Sequence, residues 1–155
     1  MTPTPDEQLA ELLTSGSQLP PPELNARLRN LWPLLHAPQR TSDATALVAL
    51  FQRAGYVSDG IPVPNRELTV YRGELVSSRE AGIAWTTDVE VATQYARGYT
   101  TAGNTRVLQA TAQPAAVLAR FNQEGEVVVA PNLLRRIENL GGFPHFKPLL
   151  LGPRH

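Results

Sequence analysis

The segment Phe121-Asn122-Gln123-Glu124-Gly125-Glu126 runs straight into Val127-Val128-Val129. Its two glutamates stand one residue apart at the mouth of an apolar strand, and on an extended backbone they project to the same side. A pair of carboxylates can stabilise a developing cation with one member and manage a proton with the other. Like charges at such a place also occur at a solvated loop corner, so the pair takes its meaning from what precedes it. Upstream, Tyr71-Arg72-Gly73 closes a short apolar strand. An Arg there can clamp a pyrophosphate through paired charge-assisted hydrogen bonds, with Gly73 letting the ligand approach the backbone, or it can serve as a surface ion-pair partner. Gly82-Ile83-Ala84-Trp85-Thr86-Thr87-Asp88 reads as a strand entering a capped helix. The Thr86 and Thr87 hydroxyls can cap that helix or contact a ribose and a phosphate. Trp85 can be core or a stacking platform. Tyr95 and Tyr99 lie on the same helix, most simply as core and rim.

These residues need elements to hold them. The first third of the chain reads as helical. Asp6 can cap a helix carrying Leu9, Leu12 and Leu13 that ends at Ser15-Gly16-Ser17. Pro22 suits the first turn of a helix bearing Leu24, Leu28, Leu31 and Leu35, which Pro33 should end or kink near Trp32. A third helix is expected from Ser42 or Asp43, with Leu47, Leu50 and Phe51 on one face and Gly55 at its end. After Gly60 the pattern changes to short strands: Leu68–Arg72, Ile83–Thr86, Thr105–Thr111 and Val127–Ala130. A helix capped by Asp88 or Thr87 carries Val91, Ala92, Tyr95 and Ala96, and Pro114–Leu118 fits one helical turn. Arg135–Leu140 and Lys147–Leu151 close the chain as strands around Gly141-Gly142. Helices first and strands later indicate an α+β class.

At 155 residues the chain has the size of one domain with a real core. The formal net charge of +0 gives no reason to expect nucleic acid or an anionic membrane surface. Lys147 is the lone lysine, which we read as composition bias together with the abundant Ala, Leu and Pro. The absence of cysteine excludes a disulfide framework and a thiolate metal site. His36, His145 and His155 lack metal-ligand spacing, so no metal is expected. No Gly-x-Gly-x-x-Gly, P-loop or Gly-x-Ser-x-Gly elbow is present. Met1–Glu7 carries neither a basic nor an apolar region, and no apolar run approaches a membrane span. A soluble protein of a reducing or redox-neutral place is expected, or one that leaves the cell without a secretory signal of the usual type.

Taken in this order, the motifs resemble those of the mono-ADP-ribosyltransferases of the Arg–Ser–Glu class, which includes many bacterial toxins and phage enzymes. In that family an Arg closes the first strand, a Ser-Thr-Ser stretch lies on the next, and a loop of form aromatic-x-x-Glu/Gln-x-Glu enters a later one. The matching residues are Arg72, then Trp85-Thr86-Thr87, then Phe121 to Glu126, and the resemblance covers Leu68 to about Leu140. Trp85 stands where the family has the first Ser, which supports the catalytic Glu and the nicotinamide ribose; alternatively Trp85 points to the other face and the register differs by one.

The resemblance implies a single domain over 1–155: a helical N-terminal part (1–60), then a β-rich catalytic core (61–155) with a mixed, mainly antiparallel two-sheet architecture and an NAD cleft. It implies NAD as substrate. Arg72, flanked by Tyr71 and Gly73, would bind the pyrophosphate, and Thr86 and Thr87 would position the ribose. Glu126 would hydrogen-bond the ribose 2′-hydroxyl and stabilise the oxocarbenium ion, Glu124 would orient or deprotonate the acceptor, and Phe121 would contact it. Tyr95 or Trp85 would stack on nicotinamide. The implied acceptor is a protein Arg, and a cognate inhibitor fits an effector located in the cytoplasm or delivered to a host cytosol. Two other readings keep the fold: an NAD glycohydrolase that transfers to water, and a non-catalytic module that binds a nucleotide or a partner.

Overall fold

The computed structural model describes residues 2–35, 43–78 and 82–142. It begins with helices α1 (Pro5–Ser15), α2 (Pro21–Leu31) and α3 (Ala44–Ala54). The cap of α1 is Thr4, not Asp6, which falls in the first turn. Pro5 suits the first helical position, and Thr4 and Glu7 then form a reciprocal capping box. Pro33 acts as expected: α2 ends at Leu31 and the chain tightens into a 3-10 turn, Trp32–Leu34. Asp43 caps α3 by accepting from the Ala46 N–H, and Gly55 closes it at φ 80°.

The strands are β1 (Val57–Ser58), β2 (Leu68–Leu75), β3 (Ala84–Thr86), β4 (Thr105–Ala112), β5 (Val117–Phe121), β6 (Glu126–Val129) and β7 (Arg135–Asn139). Helix α4 (Val89–Gly98), capped by Asp88, lies between β3 and β4. Pro114–Leu118 was expected as one helical turn. The turn is a 3-10 one confined to Pro114–Ala116, and Val117 and Leu118 already belong to β5. The expected strand Lys147–Leu151 lies outside the described residues, as do His36, His145 and His155.

Hydrogen bonding joins the strands in the order β1-β5-β6-β3-β2-β4-β7, with β1–β5 parallel and the other pairs antiparallel. The fold is thus α+β with a mixed sheet. In place of two separate sheets there is one, but it is nearly divided: β2 and β3 share the single register pair Tyr71↔Thr86, whereas β2 and β4 are paired from Leu68↔Ala112 to Leu75↔Thr105. The two strands fork beyond Tyr71.

Both faces are covered. Leu24, Leu28, Trp32, Leu47 and Phe51 from the N-terminal helices pack on Ile83, Ala119, Phe121 and Val128. Val70, Trp85, Ala110, Val127 and Val129 form a second core, and α4 packs Val89, Ala92 and Ala96 on Tyr71 and Val107. Every residue of β6 is buried, which explains why Val127-Val128-Val129 does not alternate with polar residues.

Candidate active site

A row of paired residues, Tyr71↔Thr86↔Glu126↔Phe121, crosses the middle of the sheet. Directly paired residues project to the same face, so the register alone brings Tyr71, Thr86 and Glu126 together. They line a cleft at the fork with Arg72, Tyr95 and Glu124. Helix α4 supplies its far wall through Val91 and Ala92, with Tyr99 at its C-terminal cap.

Glu126 is 8% exposed. Its Oε2 accepts a hydrogen bond of 2.9 Å from the Trp32 indole, contributed by the 3-10 turn after α2. Burial of a carboxylate demands such donors, because an unsatisfied charged group is costly to desolvate. Glu124 stands outside the strand in the 3-10 turn Gln123–Gly125, at φ 59° and ψ 17°. Its Oε1 accepts from the Tyr95 phenol at 2.9 Å. The left-handed backbone is strained for a residue with a Cβ, and the surroundings hold it in place. The Thr86 hydroxyl donates to the Glu124 carbonyl at 2.7 Å, and the Thr87 N–H donates to the Gly125 carbonyl at 3.0 Å. At the other end of the loop, Asp59 accepts from the Asn122 backbone and side-chain amides. The two threonines therefore fix the backbone of the glutamate loop, and the Thr86 Oγ1 also accepts from the Asp88 N–H at the start of α4.

The Arg72 side chain is 14% exposed and spans the fork. Its Nη1 donates to the Ala84 carbonyl at 2.8 Å, a β3 acceptor in the stretch where the ladder with β2 has stopped. Its Nε donates to Glu74 at 3.0 Å. Glu74 is buried and also holds Arg106, its directly paired neighbour on β4. Gly82 leaves room for the guanidinium: a Cβ there would come within 2.0 Å of Arg72 Cζ.

Several expected roles change. Gly73 was expected to let a ligand approach. A Cβ at Gly73 would lie 2.0 Å from the Ala92 carbonyl, so the missing side chain makes room for α4. Phe121 was expected to touch the acceptor. It is 1% exposed and packs in the core beneath the helices, because its pairing with Glu126 on the buried face turns it inward. For Trp85 two places were open, a stacking platform for nicotinamide or the core on the other face, and it takes the second. Its indole lies in the core with Val70 and Val127 and donates to the Gly82 carbonyl at 2.8 Å, which leaves its backbone beside the cleft. Alternation thus sends Trp85 to one face and Thr86 to the other. Tyr71 borders the cleft, and burial pushes its phenol up from the ordinary value, which keeps it protonated.

Trp32, Glu74, Arg106 and Asp59 were not anticipated from sequence. A signal existed for Glu74, two residues from Arg72 on the same strand and hence on the same face. Trp32 and Glu126 are 94 residues apart in sequence, and no local pattern links them. Among the described residues no helix is long and apolar enough to cross a membrane. Comparisons with protein-family models, curated proteins and solved structures find no match for this chain.

Proposed function

We propose that the protein is a mono-ADP-ribosyltransferase that cleaves the N-glycosidic bond of NAD and transfers ADP-ribose to a protein acceptor, with an Arg side chain as the favoured target. The observation that carries this reading is the placement of the two carboxylates in one cleft. Glu126 is buried at the sheet and held by an indole, while Glu124 stands in the loop above it and is held by a phenol. The indole and phenol donors are uncharged, so these bonds orient the carboxylates without cancelling their negative charge.

In the proposed reaction the nicotinamide-side ribose lies against Glu126, which accepts a hydrogen bond from the 2′-hydroxyl. As the C1′–N bond breaks and nicotinamide leaves with the bonding pair, the carboxylate stabilises the positive charge that develops on the sugar. Glu124 orients the attacking guanidinium and takes its proton as the new C1′–N bond forms. Arg72 supplies positive charge to the pyrophosphate side of the cleft, within the limits set by its bonds to Glu74 and Ala84. Thr86 and Thr87 act on the ribose side by fixing the glutamate loop.

The burial of Phe121 favours a second reading, an NAD glycohydrolase, because it removes the aromatic contact expected for a protein acceptor. Incubation of the protein with cell lysate and NAD labelled on the adenylate separates the two. Label on protein supports transfer, and free ADP-ribose with unlabelled protein supports hydrolysis. Absence of both products, with Glu126→Gln indistinguishable from the native protein, overturns the enzymatic reading.

A further inference from the structure

The chain has two tryptophans, and both indole N–H groups donate a hydrogen bond. Trp85 meets the need of a buried indole in the ordinary way, through a backbone carbonyl within its own turn, at Gly82. Trp32 does not. It is fully buried, its ring packs edge-on against Phe51 at 4.9 Å, and its N–H reaches out of the helical layer to Glu126 in the cleft.

The sequence arranges this reach. Pro33 cannot continue α2, so the helix stops at Leu31 and Trp32 enters a 3-10 turn instead of a further helical turn. The sheet contributes the complementary half. Glu126 and Val128 alternate with Val127 and therefore face the helical layer, where Val128 packs in the same core as Trp32. The Thr86 hydroxyl, paired across from Glu126, is occupied with the Glu124 carbonyl and the Asp88 N–H. The Trp85 side chain lies in the core on the opposite face.

We propose that Trp32 is a positioning residue for Glu126, and that the N-terminal helical segment is thereby a working part of the active site. This inference rests on the proposed transferase reading for its kinetic consequence, but not for its structural one. The indole fixes one carboxylate oxygen, so the carboxylate is already placed when positive charge develops on the sugar.

The test uses the full chain with Trp32→Phe, which keeps an aromatic ring toward Phe51 while removing the donor and part of the ring volume; urea unfolding of the same variant measures the packing loss separately. Turnover of NAD should fall about ten- to a hundredfold, the range expected from losing a hydrogen bond to a charged group, with kcat affected more than KM. The acid limb of the rate profile should move to higher pH, because the ionised Glu126 loses a donor that favours it. Glu124, Tyr71, Tyr95 and Arg72 line the same cleft, so the shift is assigned by repeating the profile in Glu124→Gln.

A second measurement is independent of turnover. In the ¹⁵N spectrum of the native protein the Trp32 indole resonance should follow the titration of Glu126 and cease to do so in Glu126→Gln. The Trp85 resonance, bonded to a backbone carbonyl, should stay still as an internal reference. A Trp32 resonance that ignores Glu126, or a Trp32→Phe enzyme with native turnover and native acid limb, overturns the proposal. If the native protein turns over no NAD, the transferase reading fails by itself and the indole titration alone decides the role of Trp32.

Discussion

The two walls of the cleft are built on different principles. On the β2 side, Arg72 is held by neighbours within the sheet: Glu74 on its own strand, the Ala84 carbonyl across the fork, and through Glu74 the Arg106 guanidinium on β4. On the β6 side, the glutamates are held across layers, Glu126 by an indole from the N-terminal helices and Glu124 by a phenol from α4. The ion pairs on the first wall tie both guanidinium groups to the same buried carboxylate, which offsets one of the two positive charges. The indole and phenol bonds on the second wall come from uncharged donors and orient the carboxylates. The first wall therefore mainly holds the fork open, and the second is the one to which the proposed reaction assigns the chemistry.

Substitution of Glu126 by Gln tests the second wall and carries the largest expected effect. It keeps the shape and an acceptor for Trp32 but removes the charge, so NAD cleavage should fall by about 10²–10³, while the urea midpoint changes little. Native turnover in this variant would remove the reason to call that wall the chemical one. The converse substitution on the first wall, Glu74→Ala, should act on stability. It leaves two guanidinium groups, 14% and 27% exposed, without their common buried partner. A loss of about 3 kcal/mol is expected, the low end for breaking a buried pair because both cations keep some access to water. Equilibrium urea unfolding measures it. A stable Glu74→Ala protein that had lost its activity would reverse the division between the walls.

The same contrast explains what was legible in the sequence. Most local determinants are legible: Asp43 and Gly55 bound α3, Asp88 caps α4, and Pro33 ends α2. The cap of α1 is the exception: Thr4 outcompetes the acidic Asp6 because it forms a reciprocal box with Glu7. Of the motif residues, Arg72, Thr86, Glu124 and Glu126 line one cleft, and strand register aligns Thr86 with Glu126 there, while Thr87 and Gly125 lie beside it. What each side chain does once there depends on partners far along the chain. Arg106 meets Glu74 through the β2–β4 register, and Trp32 meets Glu126 through helix-on-sheet packing. Faces were the other weak point. Burial of β6 on both sides erased the alternation that would have shown Phe121 and Trp85 pointing into different cores.

Two glycines sharpen the comparison at a smaller scale. Gly73→Ala places a Cβ against the backbone of α4 at Ala92, which cannot yield without moving the helix. A loss of about 2 kcal/mol is expected, within the usual range for overpacking. Gly82→Ala meets only the tip of the Arg72 side chain, which can swing away. The expected loss is about 1.5 kcal/mol, the low end for a hydrogen bond made by a charged group. Thermal unfolding of both variants should rank Gly73 above Gly82. The reverse ranking would mean that Arg72, not α4, is the rigid part of the first wall.

The smallest expected change in stability concerns Glu124, and it bears on how the second wall divides its work. Glu124→Gly relieves about 1 kcal/mol of left-handed strain but restores to the unfolded chain roughly half of that or more in freedom, so stability should rise by no more than about 0.5 kcal/mol. Glu124→Ala keeps the strained backbone and loses the bond from Tyr95, an exposed contact whose loss should scarcely move the unfolding midpoint. The two variants thus differ in backbone strain and agree in lacking the carboxylate. If Glu124 serves the acceptor, both should lose transfer to protein by a similar factor and retain most of the hydrolysis of NAD by water. If the strained loop matters mainly because it aims Glu126, the glycine variant alone should also lose hydrolysis, since only there is the turn released. Equal loss of transfer and hydrolysis in both variants would show that the two carboxylates act as one unit, and the separation of roles between Glu124 and Glu126 would fall.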